Sequence, residues 1–172
     1  GPDFLVSAGA RLTTIFLLSY LTFLAFTTVK TNLNWKDPMT FYNHILKYNR
    51  RSIRVWNNLG MAYADANELD KTINAYKEAI ALDKENISAP PHHNLANAYL
   101  ACGMKEEAIK EYKKAIDIDE RFIYSYNNLI SLYLQAGRHA EAIPILEKKL
   151  KVSPNDNVAR DILNTLYKLP KK

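Results

Sequence analysis

The chain has 172 residues, enough for one domain of ordinary size and an appendage. Apolar residues make up 48%, while Gly numbers 5 and Pro 7, which argues against a turn-rich β architecture and for helices around a real core. The net charge of +5 comes from 23 basic and 18 acidic side chains with no long basic run, so it reads as mixed solvated surface, with no nucleic-acid partner; the single Cys102 excludes an internal disulfide.

Gly1-Pro2 reads as a protease-cleavage scar and is set aside. Residues 3–34 form a hydrophobic segment. Within it Leu12 to Val29 is uncharged, with twelve apolar or aromatic residues and six Thr or Ser. Its length is near the ~20 residues that span a bilayer. Thr13, Thr22 and Thr27 fall in different directions on a helical wheel, leaving no polar stripe. A membrane anchor through residues 12–29 is the expectation, and a helix packed on the rest of the chain is the alternative. A cleaved signal peptide fits poorly, because the apolar run is long and no small-x-small site follows. Lys30, Lys36, Lys47, Arg50, Arg51 and Arg54 follow the segment against Arg11 before it, a bias that places the C-terminal side in the cytoplasm.

From Trp35 the chain becomes charged and periodic. Trp56-Asn57-Asn58-Leu59-Gly60-Met61-Ala62-Tyr63 recurs as His92-His93-Asn94-Leu95-Ala96-Asn97-Ala98-Tyr99 and as Tyr126-Asn127-Asn128-Leu129-Ile130-Ser131-Leu132-Tyr133. A second block follows each one: Ala75 to Ile80, Glu111 to Ile116, Ile145 to Leu150. The spacing from Leu59 to Leu95 is 36 residues, and from Leu95 to Leu129 and Leu129 to Leu163 it is 34. A period near 34 signals paired helices that stack. Repeats are assigned to 53–88, 89–122 and 123–156.

Within a repeat, small Gly60 or Ala96 is expected to let the second helix approach at Ala79 or Ala115. Tyr76, Tyr112 and Leu146 fill space toward the next repeat. Gly103 and Gly137 mark the turn between helices, with Asn67 one place from that point in repeat 1. Ile130 and Lys149 replace small residues in repeat 3. Pro144 is placed near the start of its helix, where a missing N–H costs less, and Pro154 ends that helix. Two extra residues before Pro90-Pro91 predict a longer first junction. Residues 35–52 carry an orphan second helix, with Tyr42 in register, expected to cap repeat 1. Residues 157–172 carry a capping helix with Leu163 and Tyr167 in phase.

These residues, from about Pro38 to Leu169, resemble the tetratricopeptide-repeat (TPR) family. The resemblance implies an all-α fold, a right-handed α-solenoid of antiparallel helix pairs, here with an N-terminal hydrophobic, transmembrane helix. It also implies a scaffold that binds a protein or peptide in the concave groove lined by first helices. Carried over by position, the groove takes Arg54, Asn57, Met61, Ala64 and Asp65 from repeat 1. Repeat 2 supplies Pro90, His93, Asn97, Leu100 and Ala101, and repeat 3 Tyr124, Asn127, Ser131, Leu134 and Gln135. Asn58, Asn94 and Asn128 recur beside them, either as a ladder for a ligand backbone or as bonds within the scaffold. The family's two-carboxylate clamp needs several cations, and only Arg54 matches.

The apolar helix followed by Lys30-Thr31-Asn32-Leu33-Asn34-Trp35-Lys36-Asp37 and repeats also looks like the end of transmembrane-and-tetratricopeptide O-mannosyltransferases. That similarity implies a C-terminal accessory domain with repeats on the extracytoplasmic side, opposite to the charge bias. A self-assembling structural protein is the remaining alternative, with possible partners then including further copies of the chain.

No active site or cofactor is expected. His92 and His93 are adjacent and diverge by ~100° on a helix, so they do not chelate together. Cys102, at the end of a first helix with no local His, is expected to be a packed thiol. There is no Gly-rich phosphate loop and no Gly-x-Ser-x-Gly. Asn86-Ile87-Ser88 fits the glycosylation pattern as a frequent chance match.

Overall fold

A computed structural model describes residues 2–33 and 37–169, with side chains described for 13–30, 32 and 37–169. It divides into two compact units, Gly1–His44 and Ile45–Lys172. Among the described residues all regular structure is helical: α1 (Pro2–Leu33), α2 (Pro38–Tyr48), α3 (Ile53–Asp65), α4 (Leu69–Leu82), α5 (Ala89–Ala101), α6 (Lys105–Ile118), α7 (Ile123–Gln135), α8 (His139–Val152) and α9 (Asn157–Tyr167).

In the first unit, α1 contains one span, Thr13–Lys30, long and apolar enough to cross a membrane, with mean hydropathy 1.4. Ile15, Phe16, Leu17 and Leu18 are all exposed, so apolar side chains face every direction around the helix. Its hydroxyls bond back to the helix: Ser19 Oγ donates to the Ile15 carbonyl at 2.9 Å and Thr22 Oγ1 to the Ser19 carbonyl at 2.8 Å. Such bonds pair those hydroxyls within the helix itself. Trp35, with which the periodic region begins, and Lys36 lie outside the described residues.

The second unit is an α-solenoid. Helices pair as α3 with α4, α5 with α6 and α7 with α8, and each pair packs on the next, with α9 against α8. Every hairpin closes in the same way. Glu68 N–H donates to Tyr63 O at 2.9 Å, Met104 N–H to Tyr99 O at 2.9 Å, and Arg138 N–H to Tyr133 O at 2.8 Å. This six-to-one bond needs a left-handed residue just before the donor. Gly137 (φ 67°), Gly103 (φ 76°) and Asn67 (φ 58°) supply it. Asn67 therefore stands at the turn position itself, not one place away: it follows Leu59 by eight residues, as Gly103 follows Leu95 and Gly137 follows Leu129. Nothing lies within 4 Å of a Cβ built on Gly103 or Gly137, so conformation and not space demands glycine there.

The first junction, residues 83–88, is two residues longer than 119–122 and 153–156. Its extra length is tied down from within. Asp83, buried, accepts the Ser88 N–H at 2.8 Å, and Asn86 adopts φ 52°. His92 then stands where repeats 1 and 3 have Trp56 and Tyr126. It is buried, with Nδ1 2.6 Å from Glu111 Oε2 and Nε2 3.3 Å from Asn86 Oδ1. Burial alone would raise the Glu111 carboxyl, but hydrogen bonds from His92 and Lys114 outweigh it and hold it below its usual value.

Two expectations are corrected and a third is sharpened. Pro144 lies in the interior of α8, the sixth residue, so the Ala140 carbonyl loses its i+4 donor. Its own side chain is exposed, so water reaches that stretch of helix. Cys102 is exposed, because it follows the last residue of α5 as the chain swings outward into the Gly103 turn. Gly60 does let the second helix close in, and the nearest part of that helix is Tyr76: a Cβ at position 60 would come 2.5 Å from Tyr76 Cε1.

Candidate functional site

The first-helix residues of α3, α5 and α7 line one face of the solenoid, and the structure separates those turned to solvent from those that hold the repeats together. Arg54, Met61, Asp65, Asn97, Tyr124, Asn127, Ser131 and Gln135 are exposed. Asn57, Asn58, Asn94 and Asn128 are half-buried, and His93 is buried.

The recurrent asparagines bridge repeats. Asn94 Nδ2 donates to Asn57 Oδ1 at 3.0 Å, joining repeat 2 to repeat 1. Asn128 Nδ2 donates to Asn97 Oδ1 at 3.0 Å and to the Tyr112 hydroxyl at 3.1 Å, joining repeat 3 to repeat 2. Tyr112 in turn donates to Asn97 Oδ1 at 2.5 Å. The Asn128 Nδ2 is thus shared between two neighbouring acceptors within the scaffold. Burial pushes the Tyr112 phenol up, against the opposing pull of the Asn128 hydrogen bond.

His93 extends this chain. Its Nδ1 lies 3.0 Å from Ser125 Oγ and its Nε2 3.2 Å from Asn97 Nδ2. An amide nitrogen only donates, so Nε2 accepts and the proton sits on Nδ1. That neutral form agrees with burial pulling the imidazole below its ordinary value. The ring packs against Tyr112, Phe122 and Tyr124, at centroid distances of 5.5, 5.2 and 6.4 Å. Of this group only Tyr124 opens widely to solvent, at 70% exposure. His92 and His93 point to different partners.

Beyond the asparagines the face deepens. A cavity of ≈ 310 Å³ opens between α7 and α9, lined by Asn127, Ser131 and Gln135 on its polar side and by Ile130, Leu134, Val158 and Ile162 on its apolar side. Gln135 Nε2 donates to Ser131 Oγ at 3.1 Å along the rim. Lys149 also lines it, 7% exposed and 2.5 Å from Asp156 Oδ2. Asp156 caps α9, accepting from Ala159 N–H at 2.9 Å, and the Lys149 bond holds its carboxyl below the usual range. Val158 and Ile162 were missed from sequence. The signal was available: one period after Tyr124 and Asn128, positions 158 and 162 hold Val and Ile, so an apolar wall replaces the polar ladder.

Along 84 residues the chain is 26% identical to the mouse protein O-mannosyl-transferase TMTC3, and that stretch is 49% of this chain but 9% of the relative's length. The solved structure of MamA superposes with a TM-score of 0.63 at 25% identity, covering 75% of this chain and 74% of that one. YrrB, described as a TPR protein with an unusual peptide-binding site, superposes with a TM-score of 0.60 at 20% identity, over 73% of this chain and 63% of the other. Two family profiles, each a tetratricopeptide repeat, match residues 51–123 and 123–156, the interval in which the hairpin bond and the inter-repeat asparagines recur. The chain belongs to the tetratricopeptide-repeat family.

Proposed function

We propose that the repeats hold an extended segment of another protein along the first-helix face, with an apolar side chain of that segment seated in the cavity between α7 and α9. The cavity carries this reading. Its ≈ 310 Å³ accommodates one large aliphatic or aromatic side chain, and Asn127, Ser131 and Gln135 offer polar atoms at its rim. Peptide binding by YrrB, which shares the fold, supports it. Asn97 is a poor probe of this site because it is bonded into the scaffold. Val158, 71% exposed at the cavity wall, is a better one. Val158→Glu with Asn127→Ala should weaken capture of the partner at least about tenfold with an unchanged melting temperature. Unchanged capture sinks the reading.

The chain is proposed to be membrane-tethered through residues 12–29. Support comes from the span Thr13–Lys30 and its unbroken apolar surface. Removing the residues before Lys30 should abolish partition into detergent. A shortened chain that still partitions contradicts the anchor.

A second reading is favoured by the similarity to TMTC3: the repeats would serve as an accessory domain of a larger membrane glycosyltransferase, positioning acceptor proteins. Sequencing the natural gene upstream of Asp3 tests it, and finding no further membrane helices there rules it out.

A further inference from the structure

The net charge is not spread along the chain. Residues 1–64 hold seven basic and two acidic side chains, whereas residues 65–172 hold sixteen of each. The whole excess of +5 therefore precedes the second helix of repeat 1. Between Pro38 and Ala64 there is no Asp or Glu at all, while Lys47, Arg50, Arg51 and Arg54 fall within eight residues. All four are exposed.

Five of the cations after residue 65, Lys71, Lys114, Arg138, Lys148 and Lys149, are ion-paired among the described residues, and the others, like this cluster, are not. Lys47, Arg50 and Arg51 make no ion pair among the described residues. The backbone that carries them is fixed. Trp56 Nε1 donates to the Arg50 carbonyl at 2.9 Å, and Ser52 caps α3 by accepting Val55 N–H at 3.3 Å. Tyr48, 81% exposed, is the last residue of α2, next to Lys47. Three exposed cations, Lys47, Arg50 and Arg51, and an exposed Tyr lie at the end of α2 and in the turn after it, with no Asp or Glu from Pro38 to Ala64. They match a flat anionic surface, and Tyr is a residue type suited to the headgroup layer.

We propose that Lys47, Arg50 and Arg51 hold the start of the repeat stack against the anionic headgroups of the bilayer that α1 crosses, a proposal that rests on α1 being a membrane anchor. Only a short stretch separates α1 from Lys47, much of it helix α2, which rises about 1.5 Å per residue. A tether of that length would let weak screened attractions act at high effective concentration. The solvent-facing cavity between α7 and α9 is lined by none of these residues and stays open for a protein segment.

Trp56 is a built-in reporter, and Trp35→Phe leaves it the only indole. The full chain carrying that change is reconstituted into phosphatidylcholine vesicles with or without about 30% phosphatidylserine, both containing headgroup-spin-labelled lipid. Quenching of Trp56 should be at least about twofold stronger in the anionic vesicles and should fall to the neutral level in about 0.5 M salt. Lys47→Glu with Arg50→Glu and Arg51→Glu should remove the difference, and the corresponding Gln variants should reduce it, all with unchanged helical circular dichroism. Equal quenching in both vesicle types, or a difference that survives charge reversal, overturns the proposal and leaves the anchor standing. A chain that fails to float with the neutral vesicles overturns the anchor, and with it this proposal. Loss of the anionic effect on adding an acidic peptide without salt would instead assign the patch to a protein partner and also overturn it.

Discussion

Gly60 and Tyr76 share one volume: the ring of Tyr76 occupies the space where a side chain at position 60 would begin. The same pair of positions recurs as Ala96 with Tyr112 and as Ile130 with Leu146, the last two sharing one apolar cluster. As the first member grows, the second loses its ring. Gly60→Ala gains helix propensity worth about 1 kcal/mol but forces a buried ring to move, at about 1–3 kcal/mol. A net loss of about 1 kcal/mol is expected in urea denaturation. Gly60→Ile should cost more, and adding Tyr76→Leu should recover at least about 1 kcal/mol of it. Strict additivity of the two changes would contradict the shared volume.

Asp156 joins two jobs, capping α9 and neutralising the nearly buried Lys149. Asp156→Ala removes both, and a loss of about 2 kcal/mol is expected, felt first as fraying of α9 in hydrogen exchange. Lys149→Met keeps the packing without the charge and should cost less. The Asp156 carboxyl is held below its ordinary value of 3.8. Its contribution is therefore complete above that value and declines as pH falls through the lower folded-state value. Wild type and Asp156→Ala should converge in stability only in strong acid.

His93 gives the same proton balance in a higher pH range. Burial lowers its folded-state value below 6.5, so the unfolded chain binds the extra proton first. Stability should fall as pH drops below about 6.5 and level off beneath the depressed value. Protonation would also set two donors, His93 Nε2 and Asn97 Nδ2, against each other. His93→Gln should remove this dependence between pH 7 and 5, as read from thermal midpoints. A wild-type slope that persists in the variant would exclude His93 as its source.

Cys102 should react with a small thiol reagent within the time expected of an exposed thiol, without denaturant and without loss of helical signal. Reaction only after unfolding would restore the packed-thiol expectation.

Much of the architecture was legible because each repeat writes it again. The Leu59, Leu95 and Leu129 spacing located the helix pairs, and the Gly103 and Gly137 positions located their turns. What stayed hidden were relationships between positions far apart in sequence. Spacing showed that Gly60 had to be small, but not that Tyr76 of the facing helix was the reason. It showed Lys149 as a departure without its partner Asp156, seven residues on across a helix end. Asn94 and Asn128 could not be assigned to ligand or scaffold from sequence, since an amide serves both equally. Their partners Asn57, Asn97 and Tyr112 had to be placed first. The apolar wall of the cavity escaped for a different reason: Val158 and Ile162 sit in a terminal helix whose charged outer side drew it toward a purely solubilising role.

The Asn128 amide has a consequence for how the groove responds to a load. Its Nδ2 is shared between Asn97 Oδ1 and the Tyr112 hydroxyl, both of repeat 2, and so fastens repeat 3 to its neighbour. A ligand acceptor competing for that nitrogen would have to break an inter-repeat bond, whereas a donor approaching Asn128 Oδ1 would not. Whatever the groove accepts at this position is therefore tied to how the repeats are held together.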